Sequence, residues 1–544
     1  MATESDTPKH EPTPTPLGSI PQKRALDDDH SPAVSSPLNP DNRATEQPPA
    51  DEAPHRTKSA RAKKDTFKKR EAKGTDSVRA TPDPKPRSVG FKSLKESHDA
   101  ELSPLRFVAP PKQTDFELSR GPVLIPHHKA TTEDGEAIEF FEPTEGVANK
   151  RNFRYSHYIG DPLFPSMLYY RQTELEPYGP KLTYEDAASH IFFDSTCRQV
   201  TTDKGFRMAR ANVGVREGRW YWECKIKQGI RKAKDGESKA QTSNHVRMGW
   251  ARREASLEAP VGYDAYSYGI RDVTGEKVWM SRPKDFFPPG ETIHEGDVIG
   301  LEIQLPSERL HRRVMAGTYN PAVDPHEELQ PKRTASAANI VRERPAIRHK
   351  ANNYFENIDY SSTKELEDLM NPSPLGPNGA MEAPNPLHAS PSLRTLPNSS
   401  IRLYKNGKLM GTAFEDLLGF LPPASKQQQG ARDGLDDGSL GYYPAVSVFR
   451  GGAAEVNFGP DFWYPPPKST NGDMEIESNG GTGGVARPLS ERFEEQVAED
   501  VVWDIVDEVD FWMQDGQGPP GSGGMASGSA KAGLTHGRGI AQDD

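Results

Sequence analysis

RWYWECKIKQ, residues 219–228, alternates without a break: Trp220, Trp222, Cys224 and Ile226 fall on one face, Tyr221, Glu223, Lys225 and Lys227 on the other. Such a period of two marks a strand with two unlike faces, because successive side chains of an extended chain point to opposite sides. DVIGLEIQL (297–305) repeats it, with Ile299, Leu301, Ile303 and Leu305 aligned. NHVRMGWAR (244–252), SYGIR (267–271) and KVWMS (277–281) read as shorter strands. IRLYKNGKLMGTAF (401–414) reads as a hairpin, since Asn406-Gly407 supplies the two positive-φ positions of a type I′ turn. YPAVSVF (443–449) and AEVNFG (454–459) complete the set. At least eight strands with no strong helix between them predict an all-β, antiparallel sandwich.

That sandwich occupies only part of the 544 residues. The chain is 33% hydrophobic, with 50 prolines, 47 glycines and a mean hydropathy of -0.79. Ordering a residue costs roughly 1–2 kcal/mol of backbone entropy, so a chain this polar cannot bury all of itself. One folded body with long disordered arms is expected. Two cysteines, Cys197 and Cys224, are too few for a disulfide framework or a Cys-rich zinc site and fit a reducing compartment. The first residues hold no apolar core of a signal peptide, and no run of about 18 apolar residues reads as a membrane span.

Outward from the strands, residues 1–104 read as a disordered arm. It carries a basic tract that includes Lys63, Lys64, Lys68, Lys69 and Arg70, which reads as a nuclear import signal or a phosphate-binding patch. Residues 105–190 read as an extended segment preceding the sandwich, with Pro162, Pro165, Pro177 and Pro180 excluding long helices. The sandwich spans 191–467, interrupted by polar insertions near 229–243, 307–398 and 423–440. A linker covers 468–488. Residues 489–514 then read as a helix with Ser490 as its N-cap, and 515–544 as a disordered tail. On that helix Val502, Ile505, Val506, Val509 and Trp512 form an apolar stripe opposite Asp500, Asp504, Asp507 and Glu508. An isolated helix of this length is marginal in water, so its stripe implies a partner, or else packing back onto the sandwich.

The stretches GFRMARANVGVREGRWYWECKI, VRMGWARREASLEAPVGYDAYSYGIRD, GDVIGLEIQLP, IRLYKNGKLMGTAFEDL and YPAVSVFRGGAAEVNFGPDFWYPP together resemble the SPRY (concanavalin-like) domain. Within that class they are most similar to the Ash2-type (absent, small or homeotic discs) subunits of COMPASS/MLL histone H3 lysine-4 methyltransferase complexes. The resemblance covers about 190–305, 400–467 and the C-terminal helix. It implies a nuclear, non-catalytic adaptor without cofactors or metal. Its SPRY surface would hold an acidic-aromatic peptide of the β-propeller (retinoblastoma-binding-type) subunit through Arg247, Pro260, Tyr263 and Arg271. Arginine suits that task because its planar fork pairs carboxylates bidentately. The helix would dock into the bundle of a dumpy-thirty-type dimer, alongside a SET-domain methyltransferase and a nucleosome. The arm has no cysteine, so the zinc-finger module of animal relatives is missing. Sequence-independent contacts to DNA phosphate would fall to the basic tract and to Lys150 and Arg151.

Other functions fare worse. Glycoside hydrolysis needs two facing carboxylates. Glu223 and Glu302 lie on strands, but the period places both on the face opposite the Trp/Ile core, which reads as a solvated face. No GxSxG, HExxH or P-loop is present, and Cys224 falls on the apolar face as inert core. A SPRY substrate receptor or scaffold in ubiquitin ligation is the alternative. It would need a RING, B-box or elongin-binding box, and none is visible.

Overall fold

The computed structural model describes residues 112–515, apart from 119, 132–134, 136, 145–152, 161–169, 231–243, 326–339, 350–351, 373–381, 429–433 and 467–485. Two antiparallel sheets carry the fold. The first runs in the order Val123–Thr131, Ala137–Thr144, Phe192–Phe193, Gln199–Thr201, Ala453–Asn457, Gly218–Gln228, Val298–Leu305, Ser400–Lys405 and Lys408–Glu415. The second runs Arg282–Lys284, Lys277–Trp279, Ser267–Arg271, His245–Ala251, Tyr443–Phe449, Arg207–Ala211 and Leu182–Ala187. Arg487–Pro488 adds to the first sheet by a short parallel pairing with Trp220 and Tyr221.

The inward faces are those the alternation picked out. Trp222, Cys224, Leu301 and Ile303 from the first sheet interlock with Val246, Met248, Trp250 and Val446 from the second. The Trp222 and Trp250 rings meet edge to face at 6.2 Å. The Asn406-Gly407 hairpin is present, with Lys405 facing Lys408 and both turn residues at positive φ.

Two segments outside the quoted strands join the architecture. The segment 105–190 is built into sheets: Val123–Thr131 and Ala137–Thr144 extend the first, and Leu182–Ala187 closes one end of the second. The 307–398 insertion is also partly regular. Ser307 caps a helix, Glu308–Ala316, by accepting the Leu310 N–H, and Leu310, Val314 and Met315 bury its apolar face. Asn352–Ile358 then pairs with Phe153–Gly160, so the insertion and the pre-sandwich segment form one small sheet with Ala346–His349 and Tyr170–Thr173. Periodicity along one stretch carries no information about a strand partner some 200 residues away.

The expectation of a solvated face at Glu223 and Glu302 needs correction, since they are 0% and 1% exposed. Their face is covered by residues 462–464 and 486–488. Glu223 accepts the Trp463 and Tyr464 N–H groups at 2.7 and 2.8 Å and the Tyr221 hydroxyl at 3.3 Å. Glu302 accepts Arg219 Nε at 2.7 Å and the Tyr404 hydroxyl at 2.8 Å. Glu223 thereby fastens the tail of the sandwich, while Glu302 ties three neighbouring strands of the first sheet together. Cys224 is fully buried, and burial pushes its thiol far above the usual range, so it is inert.

Candidate functional site

Arg247 and Arg271 stand directly opposite each other on neighbouring strands of the second sheet. Val246, Met248 and Ile270 point into the core, so the two arginines lie on the outer face. Gly249 and Gly269 also face each other, and the loop 255–266 lies on Gly269, where a Cβ would meet the Val261 carbonyl at 2.7 Å.

The loop is stapled from within. The buried Asp264 carboxylate accepts the Ser256 and Tyr266 N–H groups at 3.0 Å and the Ser267 hydroxyl at 3.1 Å. Burial raises its pKa above the ordinary carboxylate value. Gly262, at φ +85°, donates its N–H to Ser267 Oγ at 2.9 Å, and Val261 donates to Ser447 Oγ at 3.1 Å. Ala255, Val261, Ala265 and Tyr266 form a second apolar cluster with Met208, Ala445 and Leu366 on this outer face. Pro260 and Tyr263 are thereby held on the arginine face, with the Tyr263 side chain 41% exposed. Gly269→Val drives a branched side chain into this loop. Its expected cost is about 2 kcal/mol, seen as a lowered melting temperature.

The arginines differ in their surroundings. Arg271 pairs with Glu276 at 2.8 Å. Arg247 has no carboxylate within ion-pair distance among the described residues; its guanidinium lies 4.7 Å from the centre of the Phe206 ring. Burial, together with the like charge of Arg271, lowers its pKa to about 10, so it stays cationic at neutral pH. Phe206, packed on Phe449 at 4.8 Å, is a neighbour of Arg247 that the sequence reading did not single out. Its signal was an aromatic directly before the strand Arg207–Ala211 with outward parity.

The second surface is the C-terminal helix, Leu489–Asp515. It begins one residue before the expected cap, and the Ser490 N–H donates to the Phe458 carbonyl at 3.0 Å. Leu489 is fully buried, and Gln496 bonds both Asn212 O and Gly214 N–H. Further along, the acidic face turns toward the body: Asp504 and Asp507 pair with Arg342 at 2.9 and 2.8 Å and with Arg344 at 3.1 and 3.3 Å. The apolar stripe is left outside. Val497, Val501, Val502, Ile505, Val506 and Val509 are each 46–56% exposed. The Trp512 side chain lies outside the described residues, as do Lys63, Lys64, Lys68, Lys69, Arg70, Lys150 and Arg151.

Asp500, near Arg342 at 3.9 Å, has its carboxyl pushed up to about 6, chiefly by burial and against the pull of Arg342 and Arg344. The docked helix therefore binds more protons than a released one between about pH 4 and 6, and lowering the pH through that window tightens it. Asp500→Asn is expected to raise amide protection of this segment at pH 7.5 and to flatten its rise below pH 6.

No protein-family model matches the chain. Among curated proteins, the COMPASS component cclA of Colletotrichum higginsianum is 57% identical over 548 residues, spanning 95% of this chain and 94% of that one. The Set1/Ash2 histone methyltransferase complex subunit ASH2 of Drosophila melanogaster is 28% identical, spanning 61% of this chain and 44% of that one. Among solved structures, the SPRY domain of human HERC1 is similar over 48% of this chain and 87% of that one, at 12% identity and a TM-score of 0.21. The sandwich itself rests on the strand pairing described above. On identity sustained across nearly the whole length of the fungal relative, this chain belongs to the Ash2-type family of COMPASS components.

Proposed function

We propose that this chain is the non-catalytic adaptor of a nuclear histone H3 lysine-4 methyltransferase complex, with two separate docking surfaces. The outer face of the second sheet takes an acidic-aromatic peptide of the β-propeller subunit. The C-terminal helix takes the dimeric docking subunit through its exposed stripe. The SET-domain subunit and the nucleosome join the same assembly, with the basic tract and Lys150-Arg151 serving import or DNA phosphate. Family membership supports a place in such a complex.

One observation carries the peptide reading: Arg247 is a half-buried cation on an aromatic ring with no carboxylate of its own. A desolvated charge of that kind gains most from an incoming carboxylate. Arg271 would share the ligand with Glu276, which makes Arg247 the stronger anchor. Chemistry by the chain itself is disfavoured by Glu223 and Glu302, which are buried and whose oxygens are already engaged, by the tail of the sandwich and by Arg219 and Tyr404 respectively. Purifying the full chain with its bound proteins tests the proposal. A SET-domain subunit, a β-propeller subunit and a small dimeric subunit are expected. Recovery of elongin or a cullin in their place would support the ubiquitin-ligase alternative and sink this reading.

A further inference from the structure

A helix with one apolar and one acidic face ordinarily buries the apolar one. Here the order is reversed, and the cause lies in the 307–398 insertion. Residues 340–344 run beside the helix, and their extended course sets Arg342 and Arg344 on one side, two positions apart. Their side chains are only 5% and 8% exposed. Across from them stand Asp504 and Asp507, one helical turn apart, and each carboxylate receives a hydrogen bond from both guanidiniums. Aromatic rings back the cluster: Phe355 lies 4.3 Å from Arg344, and Trp503 lies 5.7 Å from Arg342. Trp503 fits because residue 438 is glycine, where a Cβ would meet the indole at 2.6 Å. The small sheet extends the grip, with Gln172 reaching Asp500 and Arg171 reaching Glu508, both at 3.5 Å.

We propose that Arg342 and Arg344 are positioning residues for the C-terminal helix, holding its acidic face on the body so that its apolar stripe is presented outward to a partner. Rolling the helix over to bury its valines would strip two buried guanidiniums of their carboxylates, and that loss outweighs the burial of half-exposed side chains. The insertion thus acquires a role: it sets the orientation of the docking helix in advance, so that less ordering remains for the moment of binding. The consequence for the partner rests on the docking reading above; the bracket itself does not.

The test uses the full chain carrying Arg342→Met with Arg344→Met. Hydrogen exchange is first measured with no partner present. Amides 500–509 are expected to lose at least about tenfold in protection while those of 219–228 and 298–305 keep theirs. Affinity for the dimeric docking subunit is expected to fall about tenfold as well. Unchanged protection of 500–509 overturns the proposal. If the sandwich strands also lose protection, Asp504→Lys with Asp507→Lys decides from the helix side: release of 500–509 alone upholds the bracket, and continued protection overturns it. A wild-type chain that keeps its protection and fails to bind the dimer would sink the docking reading and leave the bracket standing.

Discussion

Arg247→Ala is expected to weaken binding of the β-propeller subunit by a factor of about 30–150, corresponding to about 2–3 kcal/mol. The physical reason is asymmetry between the two arginines. Arg271 keeps Glu276 as a counter-ion whether or not a peptide is present. Arg247 lies on the Phe206 face and makes no ion pair among the described residues, so an incoming carboxylate meets a cation that is already partly desolvated. Arg271→Ala should therefore cost less than Arg247→Ala. Arg247→Lys keeps the charge and loses the fork and its stacking, and should fall between wild type and Ala. The melting temperature should barely change, because no internal ion pair is broken. Equal effects of the two Ala variants, read by calorimetry with the purified subunit, would contradict this ranking.

Ile505→Glu with Val509→Glu is the second large effect. Both side chains are about half exposed on the outward stripe, at 49% and 53%. Glutamate is a good helix former, and two of them on the solvent side leave the Arg342–Asp504 face untouched. The free chain should fold and melt as before. Against an apolar groove, however, each new carboxylate must be buried without a partner, at a cost of several kcal/mol. Binding of the dimeric subunit should fall at least a hundredfold. The matching control, Lys284→Gln, alters an exposed residue of the second sheet, away from this helix, and should leave that binding intact.

Much of this architecture was legible in the chain itself. Strict alternation in residues 219–228 and 297–305 named the core faces, and Asn406-Gly407 named the hairpin, because both are properties of neighbouring residues. What the alternation could not say was what covers the other face. Glu223 and Glu302 look solvent-directed by period, yet residues 462–464 fold over them. The same limit hid the orientation of the C-terminal helix. Its stripe was plain from spacing, but the arginines that turn the acidic side inward come from residues 342 and 344, some 160 positions earlier. The resemblance singled out Arg247, Pro260, Tyr263 and Arg271 for the proposed peptide face, and the strand register sets the two arginines opposite each other. Phe206 was missed, since its meeting with Arg247 depends on the register of two strands joined through Tyr443–Phe449. The pairing of the 307–398 insertion was hidden for a related reason: its strand Asn352–Ile358 is completed by Phe153–Gly160, far away in sequence.

The central claim is that one chain joins two partners through two independent surfaces. It is tested most directly by presenting the β-propeller subunit and the dimeric subunit together to the full chain and to two variants. Arg247→Ala with Arg271→Ala is expected to lose the first partner and keep the second. The reverse is expected for Ile505→Glu with Val509→Glu. Retention of both partners by either variant, or loss of both, would contradict it.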